Sequence, residues 1–255
     1  MRRTCLALLL AAFGTLALAQ APAAYEPQVF QEGKDVVWVP TPQVLVDKML
    51  DMAKVTPKDF VMDLGSGDGR TVITAAKRGA RAMGIEYNPD MVELSKRNAE
   101  KAGVAGKAEF VKADLFETDF SKATVITMFL LPQINLKLRP KILDLKPGTR
   151  IVSNSFTMDD WDADEIADLK PEQGCSTSWC KALLWIVPAK VAGSYKVAQG
   201  ELVLKQNFQM LSGTLTTAGK TVALDGGRVR GEEITFKAGG KEYHGRMNGK
   251  SLELH

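Results

Sequence analysis

The ten residues VMDLGSGDGR, residues 61–70, lie between a run typical of a buried strand and a run typical of a helix. Gly65, Gly67 and Gly69 allow the backbone to turn sharply and to approach a ligand without interference from a Cβ atom. The helix that follows offers its unpaired amides at the same place. A glycine loop in this position predicts a ligand site at the edge of a doubly wound α/β sheet.

The surroundings of the loop narrow the class of ligand. Arg70 stands where a dinucleotide-binding loop carries a third glycine or an alanine, which argues against NAD. No Gly-Lys-Ser/Thr follows, so a phosphate-binding P-loop is excluded. Asp63 and Asp68 flank the loop, and such carboxylates repel a pyrophosphate but suit an ammonium and a sulfonium. The pattern favours a cationic cofactor of the amino-acid type.

Two further carboxylates end predicted strands. Glu86, in GIEYNP, closes the second strand, where a carboxylate can accept hydrogen bonds from both hydroxyls of a ribose. Asp114, in VKADLF, closes the third strand, where it can accept from the amino group of adenine. Alternatively, Glu86 is only an exposed residue next to a helix cap and binds no ribose. Asp114 taken alone does not distinguish an adenine-binding residue from an ordinary surface carboxylate.

Alternating strands and helices predict a mostly parallel, seven-stranded, doubly wound α/β sheet. Residues 165–170 and 181–188 have no helix between them, so we expect them to form a terminal antiparallel hairpin. The earlier strands are predicted at residues 59–64, 81–86, 107–112, 123–129 and 149–156, with helices at 71–78, 88–102 and 133–145 and a first helix capped by Thr41 with Pro42 as its first residue. The helix at 133–145 is expected to bury Leu136, Leu138, Ile142 and Leu143.

The chain divides into four predicted parts. Residues 1–19 have the basic start, apolar run and small residues of a secretory signal peptide, with a buried helix or a retained anchor as alternatives. Residues 20–34 form an extended arm, and residues 35–190 form the α/β domain. Short β-rich runs over residues 191–255 predict a small antiparallel meander or barrel. We therefore expect export to a bacterial periplasm and no stable membrane span after cleavage.

Charge and cysteine content agree with an exported globular protein. Lys and Arg number 33 against 30 Asp and Glu, giving a net charge of +3, so no nucleic-acid partner is predicted. After removal of the leader, Cys175 and Cys180 remain, and we expect them to pair across the tip of the hairpin. Two reduced thiols are the alternative.

Together these residues resemble the class I S-adenosylmethionine-dependent methyltransferases. Residues 61–70 match the first motif of that family, and its ribose-binding and adenine-binding acids match Glu86 and Asp114. The form LGSGDGR, with an upstream V-P-T-P and LRPKILDLKPGTRIVSNSF, is most similar to a subgroup that includes small lysine N-methyltransferases. The resemblance implies S-adenosyl-L-methionine as cofactor, with its methionine part at Asp63, Gly65, Ser66, Gly67 and Gly69 and its adenine between Tyr87 and Leu115.

The methyl acceptor is less well defined by the sequence. After the fourth strand, residues 128–132 read Met-Phe-Leu-Leu-Pro where enzymes for bases or glutamine carry Asn/Asp-Pro-Pro-Tyr, which argues against those substrates. Both histidines, His244 and His255, lie in the tail, so the α/β domain has no histidine base. A lysine in a protein substrate fits, because a desolvated amine loses its proton readily. The sequence assigns no catalytic residue, no metal site and no oligomeric state.

The sequence predicts environments for three of the four tryptophans. Trp161 and Trp179 either line an acceptor groove or pack at the hairpin edge, whereas Trp185 is expected in the core. A catalytically silent binding module of the cell envelope is the alternative to an enzyme, because the charged cofactor crosses bilayers poorly.

Overall fold

Two seven-stranded sheets make up the computed structural model, which describes residues 25–249 and 251–255. The predicted signal peptide lies outside these residues. In the first sheet, the strands are β1 Phe60–Leu64, β2 Arg81–Glu86, β3 Ala108–Lys112, β4 Val125–Met128, β5 Arg150–Asn154, β6 Glu165–Asp168 and β7 Lys181–Ile186. The helices are α1 Gln43–Met52, α2 Arg70–Lys77, α3 Pro89–Lys101 and α4 Pro132–Leu143.

The strand order of the first sheet is β3-β2-β1-β4-β5-β7-β6. Strands β1 to β5 pair in parallel, and β7 is antiparallel to both β5 and β6. The central strand β4 is buried along its whole length because helices cover both faces of the sheet. The predicted hairpin is present, and its second strand is inserted between β5 and the first strand.

Two predictions about the helices are wrong. Thr41 does not cap α1, which begins after Pro42 without a side-chain cap; the Thr41 hydroxyl instead accepts a hydrogen bond of 3.2 Å from the buried Asn154 amide. The buried face of α4 is formed by Ile134, Asn135, Leu138 and Ile142, so the prediction that Leu136 and Leu143 belong to this face is wrong; both are only partly buried, Leu143 against the core. The buried Asn135 amide donates to the carbonyls that follow β5, a long-range contact that helical periodicity does not encode.

The loop between β6 and β7 contains the disulfide. Cys175 and Cys180 are bonded, with their Cα atoms 5.8 Å apart, as predicted. Both cysteines are buried, and Leu169 donates its backbone N–H to the Cys180 carbonyl at 2.9 Å. Since β6 runs parallel to β1 to β5, this loop lies at the carboxyl edge of the sheet, where the glycine loop also lies.

The second sheet is an antiparallel meander in which every strand pairs with the next. A turn at Phe208, whose φ is 49°, separates two of these strands. The last strand of the second sheet lies close to its first strand. Leucines, Phe236 and other apolar side chains fill the interior between the strands. The strands are β8 Gly193–Val197, β9 Gly200–Asn207, β10 Met210–Thr217, β11 Lys220–Arg230, β12 Glu233–Ala238, β13 Lys241–Asn248 and β14 Ser251–Leu254.

The two sheets share a packed interface. The Phe208 ring stacks on the buried Trp161 ring at 5.8 Å between centroids, and the Gln209 amide donates to the Asp162 carbonyl at 2.7 Å. Arg228 pairs with the buried carboxylate of Asp164 at 2.5 Å. This packing argues against the second sheet as a freely separable unit. Over the described part of the chain, no helix is long and apolar enough to cross a membrane.

Candidate functional site

A cleft opens at the carboxyl edge of the first sheet, above the ends of β1, β2 and β3. Its empty space, counted out into the open solvent at its entrance, is about 1050 Å³. Residues 31–41 form one wall, and the glycine loop with the strand ends forms the other. The second sheet contributes no residue to the lining.

The glycine loop is fixed to β2 and covered by the arm. The backbone N–H groups of Gly65 and Ser66 both donate to the Ile85 carbonyl, at 2.9 and 3.0 Å. Gly67 has a φ of +55°, and a Cβ atom added there would lie 2.5 Å from Nε1 of Trp38. Position 67 therefore requires glycine both for its backbone conformation and for the close approach of the Trp38 ring.

The Glu86 carboxylate lies at the end of β2 and is held by two backbone amides. Its Oε2 accepts from the Gly67 N–H and its Oε1 accepts from the Asn88 N–H, each at 2.9 Å. Each carboxylate oxygen can accept a further hydrogen bond. Glu86 is thus preorganised as a double acceptor facing the cleft.

Asp63, at the end of β1, is a buried carboxylate without a basic partner among the described residues. Its Oδ1 accepts a hydrogen bond of 2.7 Å from the Thr127 hydroxyl. Burial raises the pKa of Asp63 to about 7, and the nearby carboxylates of Glu86 and Asp68 act in the same direction, whereas the Thr127 hydrogen bond opposes them. A cationic group bound in the cleft would therefore pair with the Asp63 carboxylate and favour its ionised form.

Asp114, after β3, is paired with a lysine that the sequence analysis missed. The Lys34 ammonium forms an ion pair with the Asp114 carboxylate and lies 4.9 Å from the centre of the Tyr87 ring. The hydrogen bond from Lys34 lowers the pKa of Asp114, and the Phe116 backbone N–H contributes to the same shift. Lys34 thus occupies the space between two residues predicted to contact adenine.

Residues 30–38 form a hairpin, so the described end of the predicted extended arm folds back on the residues that follow it. Phe30 donates its N–H to the Trp38 carbonyl at 2.8 Å, and Trp38 donates to the Gln31 carbonyl at 2.9 Å. Packing of the Trp38 ring against Gly67 bends the segment over the cleft. The apolar run at residues 36–39, which follows the polar arm, was the sequence signal that could have indicated burial of this segment.

The structure brings together nearly all the predicted cofactor-binding residues. The exception is Gly69, which precedes α2 with a φ of +82°; a Cβ atom there would lie 2.8 Å from the Phe110 ring, so Gly69 serves helix packing and not the cleft lining. Ser66 lines the cleft, but its hydroxyl lies against Gly84 of β2. The residues that line the cleft as predicted are Asp63, Gly65, Ser66, Gly67, Glu86, Tyr87, Asp114 and Leu115.

Trp161 and Trp185 are more deeply buried than Trp179. Trp185 is fully buried, as predicted, and its Nε1 donates to the Trp161 carbonyl at 2.8 Å. Trp161 is also fully buried, so it packs and lines no groove. Trp179 is half-buried, with its ring 6.1 Å from that of Phe129, a residue of the cleft wall.

Comparison with known proteins assigns this cleft to a family. The ANTKMT methyltransferase domain matches residues 63–165. A protein-lysine N-methyltransferase of Saccharolobus islandicus (strain REY15A) is 48% identical over 142 residues, which are 54% of this chain and 87% of that protein. The chain belongs to the S-adenosylmethionine-dependent methyltransferase family.

Two further relatives of this methyltransferase differ in the substrates that their names give. The adenine nucleotide translocase lysine N-methyltransferase of Mus musculus is 35% identical over 118 residues, 46% of this chain but only 51% of the mouse protein. A crystal structure of an RNA methyltransferase from Salinibacter ruber in complex with S-adenosyl-L-homocysteine is 46% identical, with a TM-score of 0.56; the match covers 60% of this chain and 96% of that one.

S-adenosylmethionine is accordingly the cofactor of this methyltransferase. The charges in the cleft fit it, because the cofactor carries an ammonium and a sulfonium. Asp68 is paired with Arg70 and Asp114 with Lys34, whereas Asp63 and Glu86 have no basic partner within residues 25–249 and 251–255. The unpaired negative charge is thus concentrated around the glycine loop.

Proposed function

We propose that this methyltransferase methylates the amine of a lysine side chain in a protein substrate. The observation that carries the proposal is the wall beyond β4, where Phe129 and Leu130 line the cleft and residues 128–132 contain no carboxamide or histidine. An apolar wall of this kind desolvates an amine and lowers its pKa, so the neutral form can be reached without a dedicated base. The names of the archaeal and mouse relatives support the same substrate class.

The cleft residues are proposed to hold the cofactor from three sides. When bound, S-adenosylmethionine supplies an electrophilic methyl group. Asp63 would hold its ammonium, and the backbone of the glycine loop would lie against its methionine part. Glu86 would accept from the ribose hydroxyls, with both of its oxygens already oriented by the amides of Gly67 and Asn88. Asp114, Tyr87 and Leu115 would surround the adenine.

The proposed role of Asp63 predicts that cofactor affinity rises with pH. The carboxyl group has a pKa of about 7 in the free protein, and the ammonium selects its ionised form. Below pH 7 the group must lose a proton on binding, whereas above pH 7 it is already ionised. We expect S-adenosylhomocysteine to bind roughly tenfold more tightly at pH 8 than at pH 6, measured by calorimetry.

The Asp63→Asn variant is the control for this pH dependence. It keeps a side chain that can contact Thr127 but cannot ionise, so it should bind more weakly and show no change in affinity between pH 6 and pH 8. Wild-type affinity that is constant over this range, with no proton released on binding, would remove Asp63 from the ammonium site.

Lys34→Ala is expected to increase cofactor affinity by a few fold. Lys34 neutralises Asp114 and lies over Tyr87, so adenine must displace it before Asp114 can accept from the adenine amino group. Calorimetry with S-adenosylhomocysteine at low ionic strength checks this, because the competing ion pair is weakened by salt. Lys190→Ala is a suitable control, since Lys190 also forms an ion pair, with Asp144, but neither residue lines the cleft. Weaker binding of Lys34→Ala would mean that Lys34 helps to hold the ligand.

We also propose that the enzyme acts outside the cytoplasm. The support is the leader-like start of the chain together with the paired Cys175 and Cys180, since disulfides persist in oxidising compartments. A periplasmic substrate would therefore be methylated in the compartment where the enzyme is folded. A periplasmic extract is therefore the expected source of the protein substrate.

One experiment tests substrate class and compartment together. Purified enzyme and radiolabelled S-adenosylmethionine are incubated with periplasmic and with cytosolic extract, and the labelled product is then treated with protease or with ribonuclease. Protease-sensitive label that mass spectrometry identifies as methyl-lysine, enriched in the periplasmic extract, supports the proposal. Ribonuclease-sensitive label would support the activity named for the Salinibacter ruber protein. No label despite tight cofactor binding would favour a silent binding module.

A further inference from the structure

Four aromatic rings form a continuous surface beside the cleft, here called the aromatic mouth: Phe30, Phe129, Phe156 and Trp179. The Phe129 ring stacks on Phe156 at 5.8 Å and meets Trp179 edge-on at 6.1 Å. Phe30 of the arm lies 6.5 Å from Trp179 and is 60% exposed. Phe129, Phe156 and Trp179 are partly buried, and a contiguous apolar patch of this kind marks an interaction site more often than isolated apolar residues do.

The topology of the sheet explains why these rings meet. Phe129 follows β4, Phe156 follows β5, and Trp179 shortly precedes β7, which runs in the opposite direction. All three positions therefore fall at the carboxyl edge. Ser155, immediately before Phe156, has a φ of +58°, and Phe30 has a φ of +69°. Left-handed backbone at residues other than glycine is strained and tends to occur at functional sites.

Phe129 connects the aromatic mouth to the cleft. Phe129 lines the cleft, and its ring lies 6.1 Å from that of Trp179, which is not part of the lining. Glu86, Tyr87 and Asp114 lie at the opposite end, over β2 and β3. A side chain that enters the cleft beside Phe129 would therefore lie close to the Trp179 ring as well.

We propose that Trp179, together with Phe129, forms the acceptor subsite and selects a cationic aliphatic side chain. This inference rests on the proposed lysine substrate and deepens it. The faces of tryptophan and phenylalanine attract ammonium and methylammonium groups, and tryptophan does so most strongly. The methylene stem of a lysine packs on the same rings, so charge and length are both recognised.

The disulfide positions Trp179 in this subsite. Cys175 and Cys180 close a short loop that contains Trp179, and the Thr177 hydroxyl accepts from the Trp179 N–H at 3.2 Å. Breaking the disulfide frees the segment that carries the ring without touching the glycine loop. Cys175 and Cys180 are therefore positioning residues for the acceptor, and acceptor binding becomes sensitive to a reductant.

The binding test uses the full-length protein saturated with S-adenosylhomocysteine. Its probes are N-acetyl-lysine methylamide, the trimethyllysine form, and the uncharged isostere of the latter in which carbon replaces nitrogen. Saturation-transfer NMR is expected to show roughly tenfold tighter binding of trimethyllysine than of the isostere. Trp179→Ala should abolish this difference, Trp179→Phe should restore part of it, and S-adenosylhomocysteine affinity should stay unchanged in both variants.

A kinetic test covers the turnover reaction. With the labelled protein acceptor from the extract experiment, Trp179→Ala and the Cys175→Ser/Cys180→Ser double variant should raise KM for the acceptor and leave kcat nearly unchanged. Tyr243→Ala is the matched control, since Tyr243 stacks on Phe236 within the second sheet at 5.2 Å. A simple folding defect would lower cofactor affinity as well, which calorimetry detects.

The outcomes separate this inference from the proposed function. Equal binding of charged and neutral probes by the wild type, or unchanged KM in Trp179→Ala while methyl-lysine still forms, overturns the subsite alone. Selective binding of the cationic probes together with label on RNA overturns the lysine substrate and leaves a cation site at Trp179. Loss of both cationic selectivity and methyl-lysine formation in the wild type overturns both.

Discussion

Gly67→Val is expected to abolish measurable binding of S-adenosylhomocysteine while the protein remains folded. Valine at a φ of +55° is strained, at a cost of about 1–3 kcal/mol. Its Cβ would also lie 2.5 Å from Nε1 of Trp38, so the ring that covers the loop must move. The shifted loop would withdraw the Gly67 N–H from Glu86, which loses its orientation. Calorimetry and circular dichroism measure binding and folding separately.

Gly103→Val is the matched control for backbone strain. Gly103 has a φ of +69°, and no atom lies within 4 Å of a Cβ added there. It should lose a similar amount of stability and still bind S-adenosylhomocysteine normally. If Gly67→Val also binds normally, the assignment of the glycine loop to the cofactor is wrong.

Trp161→Ala is expected to lower the free energy of unfolding by about 3–5 kcal/mol, the range for removal of a large aromatic side chain from a core. The Trp161 ring is fully buried, stacks on Phe208 of the second sheet and contacts Trp185 at 6.3 Å. Its loss leaves a cavity between the sheets. Denaturant unfolding followed by circular dichroism measures the change.

Two control variants are expected to lower the free energy of unfolding by less than Trp161→Ala. Trp161→Phe keeps most of the ring area and removes an Nε1 that has no hydrogen-bond partner in the described structure, so a much smaller loss is expected. Trp179→Ala removes the same side chain from a half-buried site and should cost less. A loss below about 1 kcal/mol for Trp161→Ala would mean that the two sheets are energetically independent.

The sequence predicted the part of the site that local chemistry determines. The glycine loop, Glu86 and Asp114 each stand at the end of a strand whose apolar run is visible in the sequence, and parallel strands present their ends at one edge. Gly69 does not line the cleft, and its need for glycine arises from Phe110 and Ser95, residues remote in sequence. A spacing motif does not distinguish a glycine that approaches a ligand from one that permits packing.

The arm and the aromatic mouth depend on contacts between distant segments. Lys34 meets Asp114 across 80 positions, and Trp38 covers a loop almost thirty residues away. The apolar run at residues 36–39 indicates burial, but it does not predict which distant loop this segment covers. The prediction that Thr41 caps α1 was wrong for the same reason, because the Thr41 hydroxyl accepts a hydrogen bond from the buried amide of Asn154, 113 positions later. Tertiary partners override local propensity at such positions.

The insertion of β7 between β5 and β6 also constrains how the chain can fold. A polypeptide that emerges amino terminus first makes β1 to β5 in sequence, but the exposed side of β5 has no neighbour until Ile186 is available. Until then β6 has no strand to pair with either. Parallel sheets with such long-range pairing fold slowly and leave unpaired strand edges open to association with other chains. Completion of the sheet is therefore a late step, and chaperone protection would matter most before residue 186 has emerged.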